Sequence, residues 1–213
     1  MTRSLVCQLF AWSLAFTVSA LAFISWGSDN GWQLRGLSVY QVFPLLGLLA
    51  FSIMWSHYIS GTIRQLLGLE FSVLSRYFRL TSYAVLYLLL LHPGLLIYQR
   101  FRDGYGLPPG SYQSYVAPAM SWLTLLGTVC LLAFLAFEFH RLYRQRSWWH
   151  YVTKAGDLAM LGIFYHGLRL GSQLSQSGWY QTVWWFYGLS LIVVLVRKYY
   201  LEYFRTKPSK KTN

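Results

Sequence analysis

From Leu80 to Tyr98 the chain reads "LTSYAVLYLLLLHPGLLIY", nineteen residues without a single charge. Wound as a helix at 1.5 Å per residue, that run covers ~28 Å, close to the hydrocarbon thickness of a bilayer. Runs of this kind recur along the chain. With 55% hydrophobic and only 11% charged residues in 213, the sequence is too apolar to solvate the surface of a water-soluble domain. In lipid every backbone N–H and C=O has to be satisfied within the segment, which favours helices. The chain therefore reads as an all-α, multi-pass membrane protein.

Six apolar windows predict a six-transmembrane-helix bundle, with spans at Leu5–Trp26, Ser38–Gly61, Leu80–Tyr98, Ala117–Phe139, Thr153–Gly171 and Thr182–Val196. The connections "GSDNGWQLRG", "DGYGLPPGS" and "GSQLSQSGW" are rich in Gly, Pro, Ser and Asn, as turns require. The first span has a basic start and an Ala20-Leu21-Ala22 step that resembles a signal-peptide cleavage site. Its apolar stretch is longer than a usual signal core, so it reads as a retained span. With no repeat or low-complexity linker, 1–213 reads as one domain with a basic tail over 197–213.

The 18 basic residues sort by side. Fourteen fall in the amino terminus, the 62–79 loop, the 140–154 segment and the tail, while Arg35, Arg100, Arg102 and Arg169 remain opposite. The positive-inside rule then places both termini in the cytoplasm, in a membrane of the bacterial cytoplasmic type. The net charge of +12 marks topology and contact with membrane lipid, not nucleic acid. Cys7 and Cys130 lie in apolar runs and predict no disulfide, and no CxxCH or zinc-type spacing occurs.

Two histidines sit where lipid makes a polar side chain costly. His92 is about 12 residues into the third span and His166 about 13 into the fifth, depths of ~18 and ~20 Å from the cytoplasmic edge. Both spans run in the same direction. Imidazoles at matching depth on parallel helices could ligate one flat disc from its two sides, as a bis-histidine haem requires. Pro93 could open its helix beside His92, and Arg169, one turn beyond His166, could pair with a haem propionate. A single buried histidine is explained as well by a structural bond to a neighbouring helix. His57, His140 and His150 read as interfacial, alongside Trp148 and Trp149. Asp157, one turn inside the fifth span, reads as a partner of Lys154 or of a neighbouring helix.

The segments "RLTSYAVLYLLLLH" and "RSWWHYVTKAGDLAMLGIFYH" carry a family resemblance. Over about 64–171 the chain resembles the ferric reductase-like transmembrane domain of ferric reductases, NADPH oxidases and the haem subunit of the bacterial methionine sulfoxide reductase system. That resemblance implies a haem-b electron-transfer protein, an oxidoreductase component with metal ligands His92 and His166. Members commonly stack two haems, with histidine pairs 13 or 14 residues apart on two helices. Here Phe78 stands fourteen residues before His92 and Thr153 thirteen before His166. Both vacancies fall at the cytoplasmic level, which implies one haem, near the outer leaflet.

No flavin or nicotinamide segment and no GxGxxG is present in the sequence. Electrons would have to come from a partner protein or a membrane quinol and leave to an acceptor on the outer side. The alternative reading is a haem-free scaffold or partner-binding subunit of the same descent, its histidines structural. A transporter is a weaker third reading.

Overall fold

The computed structural model describes residues 2–113, 115–139, 143, 145–171, 174 and 178–206. Six long helices carry the chain: α1 (Arg3–Asp29), α2 (Val39–Leu66), α3 (Ser75–Arg102), α4 (Ser121–Glu138), α5 (Trp149–Leu170) and α6 (Gly178–Thr206). Short helical turns at Phe71–Leu74, Gly110–Gln113 and Pro118–Met120 join them, and no strand occurs among the described residues. Most of these helices outrun the apolar windows, because their polar end residues continue the hydrogen-bonded turns beyond the apolar stretch.

Five of the six are long and apolar enough to cross a membrane; α5 is the exception. Of the six expected apolar spans, length and composition bear out five. Lys154, Asp157 and Arg169 lower the hydropathy of α5; Lys154 and Arg169 are exposed, whereas Asp157 is buried and held by two other helices, as described below.

Local signals start the helices. The Thr2 hydroxyl accepts the Leu5 N–H at the head of α1, at 3.4 Å, and Gln41 Oε1 accepts the Ser38 N–H at the head of α2, at 2.9 Å. Both groups satisfy amides that a helix start leaves without partners.

α2 is the hub. It packs on α1 and α3 and also reaches α5 and α6. α1 turns a stripe of mostly small residues inward, with Cys7, Ala11, Ala15, Val18 and Ala22 buried, and small side chains let helices approach closely. α6 buries Tyr180, Trp184, Tyr187, Leu191 and Leu195, the spacing of one helical face. There the rings of Phe51 and Trp184 lie 4.4 Å apart, as do those of Trp55 and Tyr187. The Trp55 indole N–H donates to Ser190 Oγ at 2.9 Å.

The helices group as two hairpins: α3 packs chiefly against α2, and α4 chiefly against α5. α3 and α5, which carry the two histidines, meet each other only marginally. That division places the candidate site.

Candidate functional site

His92 and His166 are each the eighteenth residue of their helices, counted from Ser75 and Trp149. Their heights above the helix starts therefore match at about 26 Å of helical rise. Each ring is held by the other helix of its own hairpin. His92 Nδ1 bonds the Phe43 carbonyl on α2 at 2.7 Å; His166 Nδ1 bonds the Leu123 carbonyl on α4 at 2.8 Å. A carbonyl oxygen can only accept, so Nδ1 carries the proton in both rings. In the neutral imidazole that leaves the Nε2 lone pair free on each.

The second contact repeats as well. Four residues after Phe43 comes Gly47, where an added Cβ would lie 2.8 Å from His92 Cε1. Four residues after Leu123 comes Gly127, where an added Cβ would lie 2.8 Å from His166 Cε1. In an α-helix the side chain at i+4 leans back over the carbonyl of residue i. Glycine at i+4 clears the approach, and the imidazole shares that carbonyl with the helix's own N–H. Two hairpins thus present one imidazole each by the same device.

Two neutral imidazoles, each with Nδ1 engaged, are the donor type that a bis-histidine haem would take. A haem-ligating histidine normally donates its other ring N–H to a carbonyl or carboxylate, which fixes the tautomer and the ring plane. Among the described residues no cluster of three or more His, Cys, Asp or Glu side chains could hold a metal ion. A haem asks only two ligands of its protein.

Around His92 the Phe43 ring lies 5.3 Å away and leads to Tyr115 at 5.9 Å, which stacks on Tyr40 at 6.0 Å. α3 runs unbroken through Pro93. Arg169 is exposed on the last turn of α5. The buried guanidinium is that of Arg100, 5% exposed, lying 3.4 Å from the Tyr105 ring and donating to the Ser111 carbonyl at 3.4 Å. Beside it the Tyr40 hydroxyl donates to Asp103. Sequence reasoning missed Arg100; its only signal was a charge set among the aromatics of "YQRFRDGYG".

At the other level Phe78 is packed among aromatic neighbours, while Thr153 lines an open hollow. Phe78 faces Gly61, an added Cβ there lying 3.9 Å from its Cζ, so the glycine-against-ring pairing of Gly47 and His92 recurs with a benzene ring. Phe71 stacks on Phe78 at 5.7 Å. The Thr153 hydroxyl donates to the Trp149 carbonyl within its own helix, at 3.4 Å.

His57 is not an interfacial side chain, as its sequence position suggested. It stands between α2 and α3, edge-on to Tyr77 and Phe78, with Nε2 at 2.6 Å from Thr81 Oγ1. The Thr81 hydroxyl gives its proton to the Tyr77 carbonyl, so it accepts from His57, whose Nε2 is thereby committed. His150 is exposed, bonds the Ser147 carbonyl through Nδ1 and packs on Tyr151. His140 lies outside the described residues.

Asp157 is 4% exposed and collects three donors from two other helices. These are the Tyr58 hydroxyl at 2.9 Å, Lys198 Nζ at 2.5 Å and the Tyr199 hydroxyl at 2.7 Å. Its cation is Lys198 on α6, not Lys154. The acid therefore binds α2, α5 and α6 together, which is how α5 carries a charge into the bundle.

No protein-family model, curated protein or solved structure matches the chain.

Proposed function

We propose that the chain is a haem-b electron-transfer protein of the ferric reductase-like kind, with one haem ligated by His92 Nε2 and His166 Nε2. The observation that carries this reading is the repeated presentation of the two rings. Each is anchored through Nδ1 to a carbonyl, each is seated against a glycine, and both keep Nε2 free at one height on helices that scarcely pack together. A haem bound there would supply one-electron chemistry, and ligation from both faces favours electron transfer over oxygen binding. The protein's part is to hold the rings, fix their tautomer and exclude water.

In this reading α5 is the sixth span, both termini are cytoplasmic and the haem lies toward the outer leaflet of a bacterial-type cytoplasmic membrane. A partner protein or a membrane quinol delivers electrons from the basic side, and an acceptor takes them outside. Arg100, more than Arg169, is the cation set to offset propionate charge. The aromatic filling around Phe78 supports one haem over two.

One observation favours a second reading, a haem-free scaffold subunit. Both rings already have a hydrogen-bond partner, so each can act as a helix–helix tie without iron. Absorption spectra of the purified protein with and without dithionite, and a pyridine haemochrome assay, separate the two. About one haem b per chain is expected. None, in protein made with ample haem, establishes the scaffold; two overturns the single-site reading.

A further inference from the structure

The basic end of the bundle contains a hollow of about 570 Å³ between the end of α2 and α6, lined by Arg64, Gln65, Leu69, Arg197, Lys198, Leu201 and Glu202. Lys198 is already met by Asp157. That leaves two guanidiniums, Arg64 and Arg197, against the single carboxylate of Glu202. Arg64 gives one N–H to the Leu69 carbonyl at 2.8 Å, while its Nε is enclosed and finds no acceptor among the described residues. Arg197 donates to Gln65 Oε1 at 3.1 Å, which turns it toward α2. An adjoining hollow on the far side of Lys198 and Glu202 adds Arg146 and Lys154. The whole region is electropositive, with Arg64, Arg146, Lys154, Arg197 and Lys198 around the two hollows against Glu202.

We propose that this hollow binds the headgroup phosphate of an anionic phospholipid. Guanidinium pairs recognise phosphate oxygens through parallel N–H donors, and basic pockets between membrane helices are a known setting for anionic headgroups. The surface leading from the hollow selects a lipid over a free anion. Leu189, Val193, Val196 and Tyr200 are all well exposed on α6, and their i, i+4, i+7, i+11 spacing makes one strip along the helix. That strip lies on the exposed side of α6 and passes beside Arg197, the residue after Val196. An acyl chain laid along it brings a phosphate to the Arg197 guanidinium at the edge of the hollow that Arg64 also lines. The assignment is independent of haem, because none of these residues touches His92 or His166.

The test is thermal melting of the full chain in detergent, titrated separately with phosphatidylglycerol, phosphatidylcholine and inorganic phosphate at constant ionic strength. Phosphatidylglycerol should raise the midpoint by about 5 °C, as a ligand specific to the folded state does, and the other two should not. Arg64→Gln and Arg197→Gln should each weaken that response about tenfold in lipid concentration, the scale of one charge-assisted hydrogen bond. Arg79→Gln, exposed and outside the hollow, should leave it unchanged. Should Arg64→Gln fail to fold, Arg197→Gln decides. An equal response to phosphatidylcholine removes the headgroup assignment, and a full response to inorganic phosphate alone makes the ligand a free anion. A response equally weakened by Arg79→Gln makes the effect diffuse charge. Each of these outcomes overturns the proposal.

Discussion

Gly47 touches His92 so closely that its missing side chain is part of the site. A Cβ there would stand 2.8 Å from Cε1 and 3.0 Å from Nδ1, inside van der Waals contact with the atom that bonds the Phe43 carbonyl. The ring owes its position to an absence on the facing helix, and Gly127 stands in the same relation to His166.

Gly47→Ala and Gly127→Ala should therefore each displace an imidazole from its carbonyl. Overpacking of this kind costs about 1–3 kcal/mol. In haem-loaded protein the low-spin spectrum should weaken or the midpoint potential shift. Gly94→Ala is the control, since no heavy atom lies within 4 Å of its added Cβ. Equal spectra and potentials in all three variants would show that the close approach is incidental.

Replacing the two proposed ligands themselves is a coarser test. His92→Ala and His166→Ala should each abolish the low-spin spectrum or strip the haem. His57→Ala and His150→Ala should retain it, because His57 Nε2 is engaged by Thr81 and His150 is exposed at the opposite end of α5 from His166. His166→Met should keep haem with a raised midpoint, since a thioether axial ligand raises the potential. A wild-type spectrum in the His92, His166 double variant would remove the axial assignment.

Asp157→Asn should destabilise the bundle without removing haem. The change leaves Lys198 without its counter-charge and weakens two tyrosine hydrogen bonds. A fully buried pair broken in this way loses several kcal/mol; with the Lys198 side chain 38% exposed, solvent recovers part of that, leaving about 1–3 kcal/mol. A melting temperature equal to wild type would show that the three-helix tie contributes nothing.

Orientation follows from charge and is open to direct labelling. A cysteine at Gly104 should react with an impermeant reagent from outside, and one at Ser147 only after permeabilisation. External reaction at Ser147 would invert the bundle and move the paired histidines to the cytoplasmic leaflet.

Hydropathy and residue counting made the helices and the matching heights of His92 and His166 legible, because both are local properties of a 1.5 Å rise. Partners far along the chain were not legible. Of the two partners open to Asp157, Lys154 and a neighbouring helix, the second holds, but that it would be Lys198 was not readable from the sequence. Arg169 drew attention by its distance from His166, whereas burial singles out Arg100, packed under a loop whose path no periodicity predicts. His57 looked interfacial from its place near a helix end, yet α3 passes over it. The glycines opposite the histidines were visible as letters; their meaning needed the facing helix.

The pairing of each histidine with its own hairpin bears on how the protein is made. The α2–α3 hairpin is complete, with His92 already fastened to Phe43, before the ribosome has translated α4. The second hairpin arrives later with His166 fastened to Leu123. Neither half needs the other to orient its ring, so the space between them comes into being only when the two halves dock. If the proposed haem is bound, its capture then falls at the end of biogenesis, and a chain truncated after α3 would carry His92 already oriented with no His166 to face it.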